Sequence, residues 1–572
     1  MWQVGAARRQ LEMDFSGLEL LGWGQPTGRI KRVEMPLQMR AVALKHGEVR
    51  WVYLCAELCF ITQSVRDGVR ERLALAGCAL DEAELVLTAT HTHSGPAGYA
   101  HSLFYNLTNP GHCPDVFDAV VDTMVAAIRA ALADLAPGRV WLKRGQIPVD
   151  EPVAFNRAML SFQRNIDAPD VDRDRPETAT NRDLTVLRID TEDGPRAAIC
   201  WFAVHNTSVH YDNTAIHGDN KGVAAALLEA HGREVLGTED FVGIYAQGAP
   251  GDVTPNFRPS TRGFTIGTHD DDFDSARAHG EIQFRYTRPL LDAADAVELH
   301  GLSHVCRYVE FDGLSVDADL TNGVSGQHTG AARYGLGLME GTAEGPGPLW
   351  RVQFLRRTLV WAVGWIKAGR RRMPLVRRLY LGRPDVYGPM FPFLDAGQGA
   401  SGKAFGFLSM RAVGIPPQID PVVAEVRRLD GLGVDLDSPW TPSVMPVHLT
   451  RIGDFALVSV ACEPTTTAGR RLADTLRDAL GVSTVQVGGY SNAYHGYLTT
   501  SEEYQVQAYE GAHTIFGQWT LGAYRTVLRE MAREFDTHGA ATSDPGPAPA
   551  RFEADEVARR AYTGPPAKRS WG

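Results

Sequence analysis

Apolar and polar positions repeat along this chain with two different periods. Across residues 115–135, 220–235 and 276–297 the apolar side chains recur at the spacing that gives an amphipathic helix one buried stripe. Residues 467–480 and 517–535 predict two later helices on the same ground. Between these stretches lie short runs that are apolar and β-rich throughout, at 51–54, 84–88, 197–204, 241–245, 455–460 and 484–487. Runs of that length predict buried strands. Strands and helices interleave, so the pattern predicts an α/β, mixed α+β, architecture. No internal repeat and no heptad series interrupts it.

Five of the predicted strands run directly into polar clusters. Residues 85–87 lead to His91, His93 and Ser94, and 199–204 lead to His205. Residues 241–245 lead to Gln247, Gly251, Asp252 and Thr254, 455–460 lead to Cys462 and Glu463, and 484–487 lead to Tyr490, Asn492, Tyr494 and Tyr497. Open α/β sheets collect ligands at the carboxyl ends of their strands. These ends therefore predict one convergent site, on the assumption that the strands are neighbours.

His91 and His93 are spaced i, i+2. In extended backbone that spacing points both imidazoles to one side, one to bind a metal and one to handle protons. A pair of ordinary hydrogen-bonded histidines gives the same pattern. His205 ends a very apolar strand and reads equally as a metal ligand or a satisfied core histidine. Glu463 follows a buried strand, where an unpaired charge is costly, although a helix starting at Pro464 also favours an acid at its N-terminus. Two histidines and a carboxylate with an open position form a usual catalytic zinc set. The loop 251–256 is rich in turn residues and lacks P-loop spacing. Asn220-Lys221-Gly222 opens a helix.

Length and composition narrow the classes. The 572 residues, 44% of them hydrophobic, hold a sizeable core. A net charge of −11 excludes general nucleic-acid binding, which needs a basic face. The seven cysteines are scattered and form no C-x-x-C pair, so neither a disulfide framework nor a cysteine-based zinc site is expected. Residues 351–383 carry ten basic and no acidic residues, interleaved with Phe354, Trp361 and Trp365. Beyond about residue 537 the chain is rich in Ala, Pro and Gly, and a loose appendage is expected. The N-terminal residues show no apolar core of a secretory signal, and the apolar run 358–366 is too short to span a bilayer. A cytoplasmic location is the expectation.

The motifs also occur in a particular order. Thr90-His91-Thr92-His93-Ser94-Gly95-Pro96 comes first, then Phe202-Ala203-Val204-His205, Gly218-Asp219-Asn220-Lys221-Gly222 and Gly251-Asp252-Val253-Thr254-Pro255-Asn256. Glu463 follows, with Thr465-Thr466-Thr467-Ala468-Gly469-Arg470-Arg471 behind it, then Tyr497-Leu498-Thr499-Thr500-Ser501-Glu502-Glu503-Tyr504-Gln505 and Tyr509-Glu510-Gly511-Ala512. In this order, across residues 3–530, the chain resembles the neutral (neutral/alkaline, non-lysosomal) ceramidase family.

The resemblance implies a catalytic domain over residues 1–536, with 351–383 as an insertion and 537–572 as a tail. It implies a zinc amidase that cleaves the N-acyl bond of ceramide, or of a related N-acyl lipid amide, into a fatty acid and an amine. Position by position, it implies zinc ligands His91, His205, Glu463 and Tyr497, the last set apart from Tyr494 and Tyr504 by spacing. His93 is implied as the acid/base residue, with Arg157 and Tyr509 as active-site donors. Zinc lowers the pKa of bound water to about 7 and so provides a nucleophile at neutral pH. Tyr509 and Arg157 would face the oxyanion with the metal, and His93 would protonate the leaving nitrogen, which an amide otherwise expels poorly.

Three departures qualify the resemblance. Thr254 stands where the family has Ser; it keeps the hydroxyl and adds a methyl group, which leaves open an N-acyltransferase or the hydrolysis of a different amide in a specialised pathway. Members commonly carry a C-terminal immunoglobulin-like domain, and the residues after the last motif are too few for a β-sandwich of roughly 100 residues, so that domain is expected to be missing. Many members are secreted or membrane-facing, and this chain shows no signal. The segment 351–383 is expected either to touch an anionic membrane surface or to be a solvated insertion. A non-catalytic lipid-binding relative is a further reading, and the presence of all four candidate ligands argues against it.

Overall fold

The computed structural model describes every residue except 25–26, 28, 107–110, 346, 348–383, 398–401, 405–407, 410–420, 539–544 and 563–572. The basic segment 351–383, with its expected membrane contact, therefore lies outside the described residues. Among the described residues no helix is long and apolar enough to cross a membrane.

The larger sheet contains β1 (Trp2–Gln10), β2 (Gln38–His46), β3 (Val49–Ala56), β4 (Leu85–Ala89), β5 (Ala136–Gln146), β6 (Asp183–Thr191), β7 (Gly194–Phe202) and β8 (Val242–Gln247). Their spatial order is β8-β7-β6-β5-β1-β2-β3-β4. The helices that follow these strands are α1 (Gln63–Leu75), α2 (Pro114–Ala133), α3 (Asp219–Glu234) and α4 (Asp272–Leu291). Inner neighbours pair antiparallel, whereas β8–β7 and β3–β4 pair parallel. The connections explain this difference. A two-residue turn joins β2 to β3, with Gly47 at φ +62°. Parallel neighbours need a crossover, which α1 supplies between β3 and β4 and α3 between β7 and β8.

The smaller sheet runs β9 (Ser303–Glu310), β10 (Val444–Ile452), β11 (Phe455–Ser459) and β12 (Thr484–Gly488) in that spatial order. Its β11–β12 pair is parallel, with α5 (Thr466–Leu480) as the crossover and α6 (Thr520–His538) packed on α5. Thr465 caps α5 by accepting the backbone N–H of Ala468, and Gly481 ends it in the left-handed conformation.

The six predicted strand runs fall in β3, β4, β7, β8, β11 and β12, and the five predicted helices are all present. Most boundaries shift by a few residues, and one shifts further. The helix expected to reach residue 297 ends at Leu291, and Val297 instead pairs with Leu142 in β5.

The larger sheet curls, and this decides where the site lies. Trp201 on β7 donates its indole N–H to Tyr53 Oη on β3 at 3.2 Å. Phe455 and Leu457 of the smaller sheet enter the same core. The expected convergence of strand ends is found, although the strands belong to two sheets. Gln247 Nε2 after β8 donates to Thr90 O and Val204 O at 3.0 and 2.7 Å. Asn492 Oδ1, beyond β12, accepts from Leu87 N on β4 at 2.8 Å.

The tail departs from its expectation as a loose appendage. Residues 545–562 dock on the body: Tyr308 N donates to Pro545 O (2.8 Å), Arg551 pairs with Asp67 (3.0 Å), and Arg428 donates to Ala561 O (3.3 Å). Proline-rich chain has little conformational freedom to lose on docking, and the arginines supply anchors.

Candidate metal centre

His91 lies two residues beyond β4 with φ at +68°. A non-glycine residue held there costs about 1–3 kcal/mol and persists only where its surroundings enforce it. Here the backbone N–H donates to Leu58 O (2.9 Å) and Nδ1 contacts Cys59 O at 2.7 Å. The carbonyl fixes the proton on Nδ1, which leaves the Nε2 lone pair for a metal. His205, just past β7, is held in the same way. Its Nδ1 faces Pro250 O and Val253 O at 2.8 and 2.9 Å, which favours the tautomer with its proton on Nδ1 and turns Nε2 to the centre. Both free nitrogens face one carboxylate, with Glu463 Oε2 at 3.2 Å from His205 Nε2 and Oε1 at 3.7 Å from His91 Nε2.

These three donors lie within 4.8 Å of one another and all are buried. Glu463 Oε2 has no hydrogen-bond donor although it is fully covered. A buried carboxylate with one oxygen left without a donor, beside the Nε2 atoms of two histidines, is the arrangement a cation completes. The residues therefore fit a metal ion. Burial opposes charge on Glu463, and the hydrogen bond from Tyr494 helps to hold its carboxyl below the usual range. Burial also lowers the His91 imidazole to about 4, keeping it neutral as a ligand must be.

Backbone pairing brings Tyr497 to this cluster. Glu463–Pro464 forms a short parallel pair with Tyr497–Leu498, and Glu463 N donates to Gly496 O at 2.9 Å. Tyr497 Oη lies 3.3 Å from His205 Nε2. Of the two neighbouring tyrosines, Tyr494 donates to Glu463 Oε1, so it supports the carboxylate, and Tyr504 bonds Tyr387 O away from the centre (3.2 Å).

His93 Nε2 stands 3.0 Å from His91 Nε2, and the rings meet edge-on at 4.5 Å. The two imidazoles thus share one side as expected, but the cause is different: His91 is in a left-handed turn rather than an extended strand. Gly22 backs the His93 ring so closely that a Cβ there would lie 2.5 Å from its Cγ. Trp23 meets the same ring edge-on at 4.8 Å.

Arg157 follows Phe155–Asn156, a short strand paired with Val253–Thr254. Its guanidinium donates to Glu510 (3.0 Å), Glu344 (2.6 Å), Gly251 O (3.0 Å) and Tyr497 Oη (3.0 Å). Four of its N–H groups are thus directed to these partners, Tyr497 Oη among them. Tyr509 crosses the Tyr497 ring at 5.5 Å, and burial raises its phenol. Thr254 Oγ1 donates to Glu344 Oε2 at 2.5 Å and accepts from Asn256 N at 2.9 Å. The roles of Glu344, Glu510 and Trp23 escape a reading of the sequence. Glu510 belongs to the Tyr509–Ala512 motif, whereas Glu344 carries no local signal beyond the glycines around it.

Asp252 and Glu503, both within the ordered motifs, form a buried acidic pair behind the centre. Glu503 accepts from Thr465 Oγ1 (2.6 Å), Asn165 Nδ2 (2.8 Å) and Thr500 N (3.0 Å). Burial and the Asp252 charge push its carboxyl up from 4.5 to about 7. Between these pH values the folded chain holds a proton that the unfolded chain has released. Stability from this group therefore falls as pH rises through that window. Urea midpoints measured from pH 5 to 7 are expected to decline, and Glu503→Gln flattens the slope whatever it does to absolute stability. An identical slope in the variant excludes Glu503 as the titrating group.

The model of the family described as "neutral/alkaline non-lysosomal ceramidase, N-terminal" matches residues 2–363 and 428–526. The neutral ceramidase of Mycobacterium tuberculosis is 31% identical over 96% of this chain and 80% of its own length. The chain belongs to the neutral ceramidase family. A neutral ceramidase of Pseudomonas aeruginosa is also 31% identical, over 93% of this chain and 72% of that protein. The crystal structure of neutral ceramidase from Pseudomonas aeruginosa superposes with a TM-score of 0.71 at 27% identity, covering 96% of this chain and 78% of that one. A structure of ceramidase complexed with C2 gives the same TM-score at 28% identity, with the same coverage. The mixed α/β fold is thus shared with the family, and the chain is an amide hydrolase.

Proposed function

We propose that this chain is a zinc-dependent amidase that hydrolyses the N-acyl bond of ceramide, or of a closely related N-acyl lipid amide, to a fatty acid and a sphingoid base or amine. The observation that carries the reading is the convergence of the Nε2 atoms of His91 and His205 on one buried carboxylate, Glu463, whose Oε2 has no hydrogen-bond donor. His91, His205, Glu463 and Tyr497 would hold the metal. This mixture of imidazole nitrogen and oxygen donors, with no thiolate among the four, suits zinc in a catalytic rather than a structural role. Zinc bound there would polarise the substrate carbonyl and lower the pKa of water to about 7.

The protein's own groups would then divide the remaining work. His93 adjoins His91 without sharing its carbonyl anchor, and its Nδ1 has no partner. It is placed to carry a proton to the departing nitrogen. Tyr509, beside Tyr497, would donate to the developing oxyanion. Arg157 would act through Tyr497, since its own donors are engaged.

The test is direct. Purified protein incubated with ceramide is expected to yield fatty acid and sphingoid base in equal amounts by mass spectrometry. Treatment with a strong chelator abolishes the reaction, and added zinc restores it. Full activity in protein shown by elemental analysis to be free of zinc and other metals overturns the reading.

A further inference from the structure

We propose that Glu344 is a positioning residue of the metal centre, gathering three distant segments onto one carboxylate and setting Tyr497 through Arg157. This rests on the metal-centre reading above. Glu344 lies in the loop after residue 340 and is 1% exposed. Its Oε1 accepts from Arg157 at 2.6 Å. Its Oε2 accepts from Thr207 Oγ1 (2.9 Å), Thr254 Oγ1 (2.5 Å) and Asn256 Nδ2 (2.9 Å).

Each of these partners borders a group that holds the site. Thr207 is two residues beyond His205. Thr254 follows Val253, whose carbonyl accepts from both His205 N (3.0 Å) and His205 Nδ1. Arg157 donates to Tyr497 Oη at 3.0 Å. The carboxylate thus fixes the backbone on both sides of His205 and the cation that aims Tyr497.

The same loop reaches the other half of the site. Gly345 lies against the Cε3–Cζ3 edge of Trp23, where a Cβ would come within 3.0 Å, and Trp23 packs on His93. The arrangement also accounts for the Thr254 hydroxyl, which serves Glu344 and not the metal.

Groups that orient metal ligands typically cost about 10–100-fold in metal affinity when removed. Glu344→Gln keeps the shape but turns one acceptor oxygen into a donor among groups that themselves donate. The zinc dissociation constant, measured on the full chain by competition with a chromophoric chelator and Zn²⁺ alone, is expected to rise by about 10–100-fold. Thr254→Val, which deletes one of the four bonds, is expected to raise it by a smaller factor, and Thr254→Ser restores it. Thr254→Val also keeps the question decidable if Glu344→Gln fails to fold.

A residue with a merely structural role would lower the urea midpoint and leave the zinc affinity of the folded protein alone. Variants that bind zinc as tightly as the wild type therefore overturn the role of Glu344 and leave the metal reading standing. A wild-type chain that binds no zinc removes both.

Discussion

Glu463→Gln is expected to yield a folded protein that carries no zinc and whose ceramide hydrolysis falls on the order of 10³-fold, the loss of several kcal/mol of metal-supplied stabilisation. The substitution is nearly isosteric. One side-chain oxygen continues to accept from Tyr494. The new amide N–H then occupies the position of Oε2 and faces the His205 Nε2 lone pair across 3.2 Å. A hydrogen bond formed there satisfies the imidazole and blocks the direction from which it would bind the ion. The cluster loses its anionic charge and one nitrogen donor in a single step. Far-ultraviolet circular dichroism checks the fold and elemental analysis checks the metal. Stoichiometric zinc together with wild-type turnover in this variant contradicts the assignment of Glu463.

Arg157→Met is expected to be the most destabilising single change near the site, at about 3–5 kcal/mol. The arginine side chain is 5% exposed and sits between Glu344 and Glu510, whose side chains are 2% and 4% exposed. Methionine fills similar volume but leaves two buried carboxylates without their counter-charge, and that uncompensated charge is the larger part of the cost. Against a total stability of roughly 5–15 kcal/mol for a typical domain, the loss is readily seen as a lower urea midpoint. Arg157→Lys recovers only part of it, because an ammonium cannot reach four acceptors in the planar fork geometry. A midpoint unchanged in Arg157→Met argues that these carboxylates are not ionised as a pair with the arginine. The same variant separates the two roles considered for Arg157. Loss of the support for Tyr497 weakens metal binding, whereas loss of a direct oxyanion contact leaves metal binding intact and lowers only turnover.

Much of this molecule is legible in the sequence because local burial leaves a local trace. β3, β4, β7, β8, β11 and β12 are buried along most of their length, so each reads as an apolar run. β5 is not legible, because only Val140 and Leu142 are buried and its other residues are exposed or half-buried and include Pro137, Gly138 and three basic residues, Arg139, Lys143 and Arg144. β1 and β2 carry arginines at their ends or centre, and the one in β2 is buried only because it pairs with Glu57 and Glu229. A charge neutralised by residues far along the chain makes a core strand look like surface.

The sequence by itself determined the element types, the family and the kinds of candidate ligand: two histidines and a carboxylate, each placed where an apolar strand stops. Those properties are carried by short stretches of chain and by the order of motifs. Only the tertiary structure decided which tyrosine stands at His205, and that Arg157 bonds Tyr497, Glu344 and Glu510 together beside it. Arg157 and Glu510 are separated by 353 positions, and Thr207 and Glu344 by 137. No periodicity or spacing connects residues so far apart. They meet because the larger sheet curls until its outer strands share one end with the smaller sheet, and once there, burial makes an unpaired charge costly and favours pairing of the groups with one another.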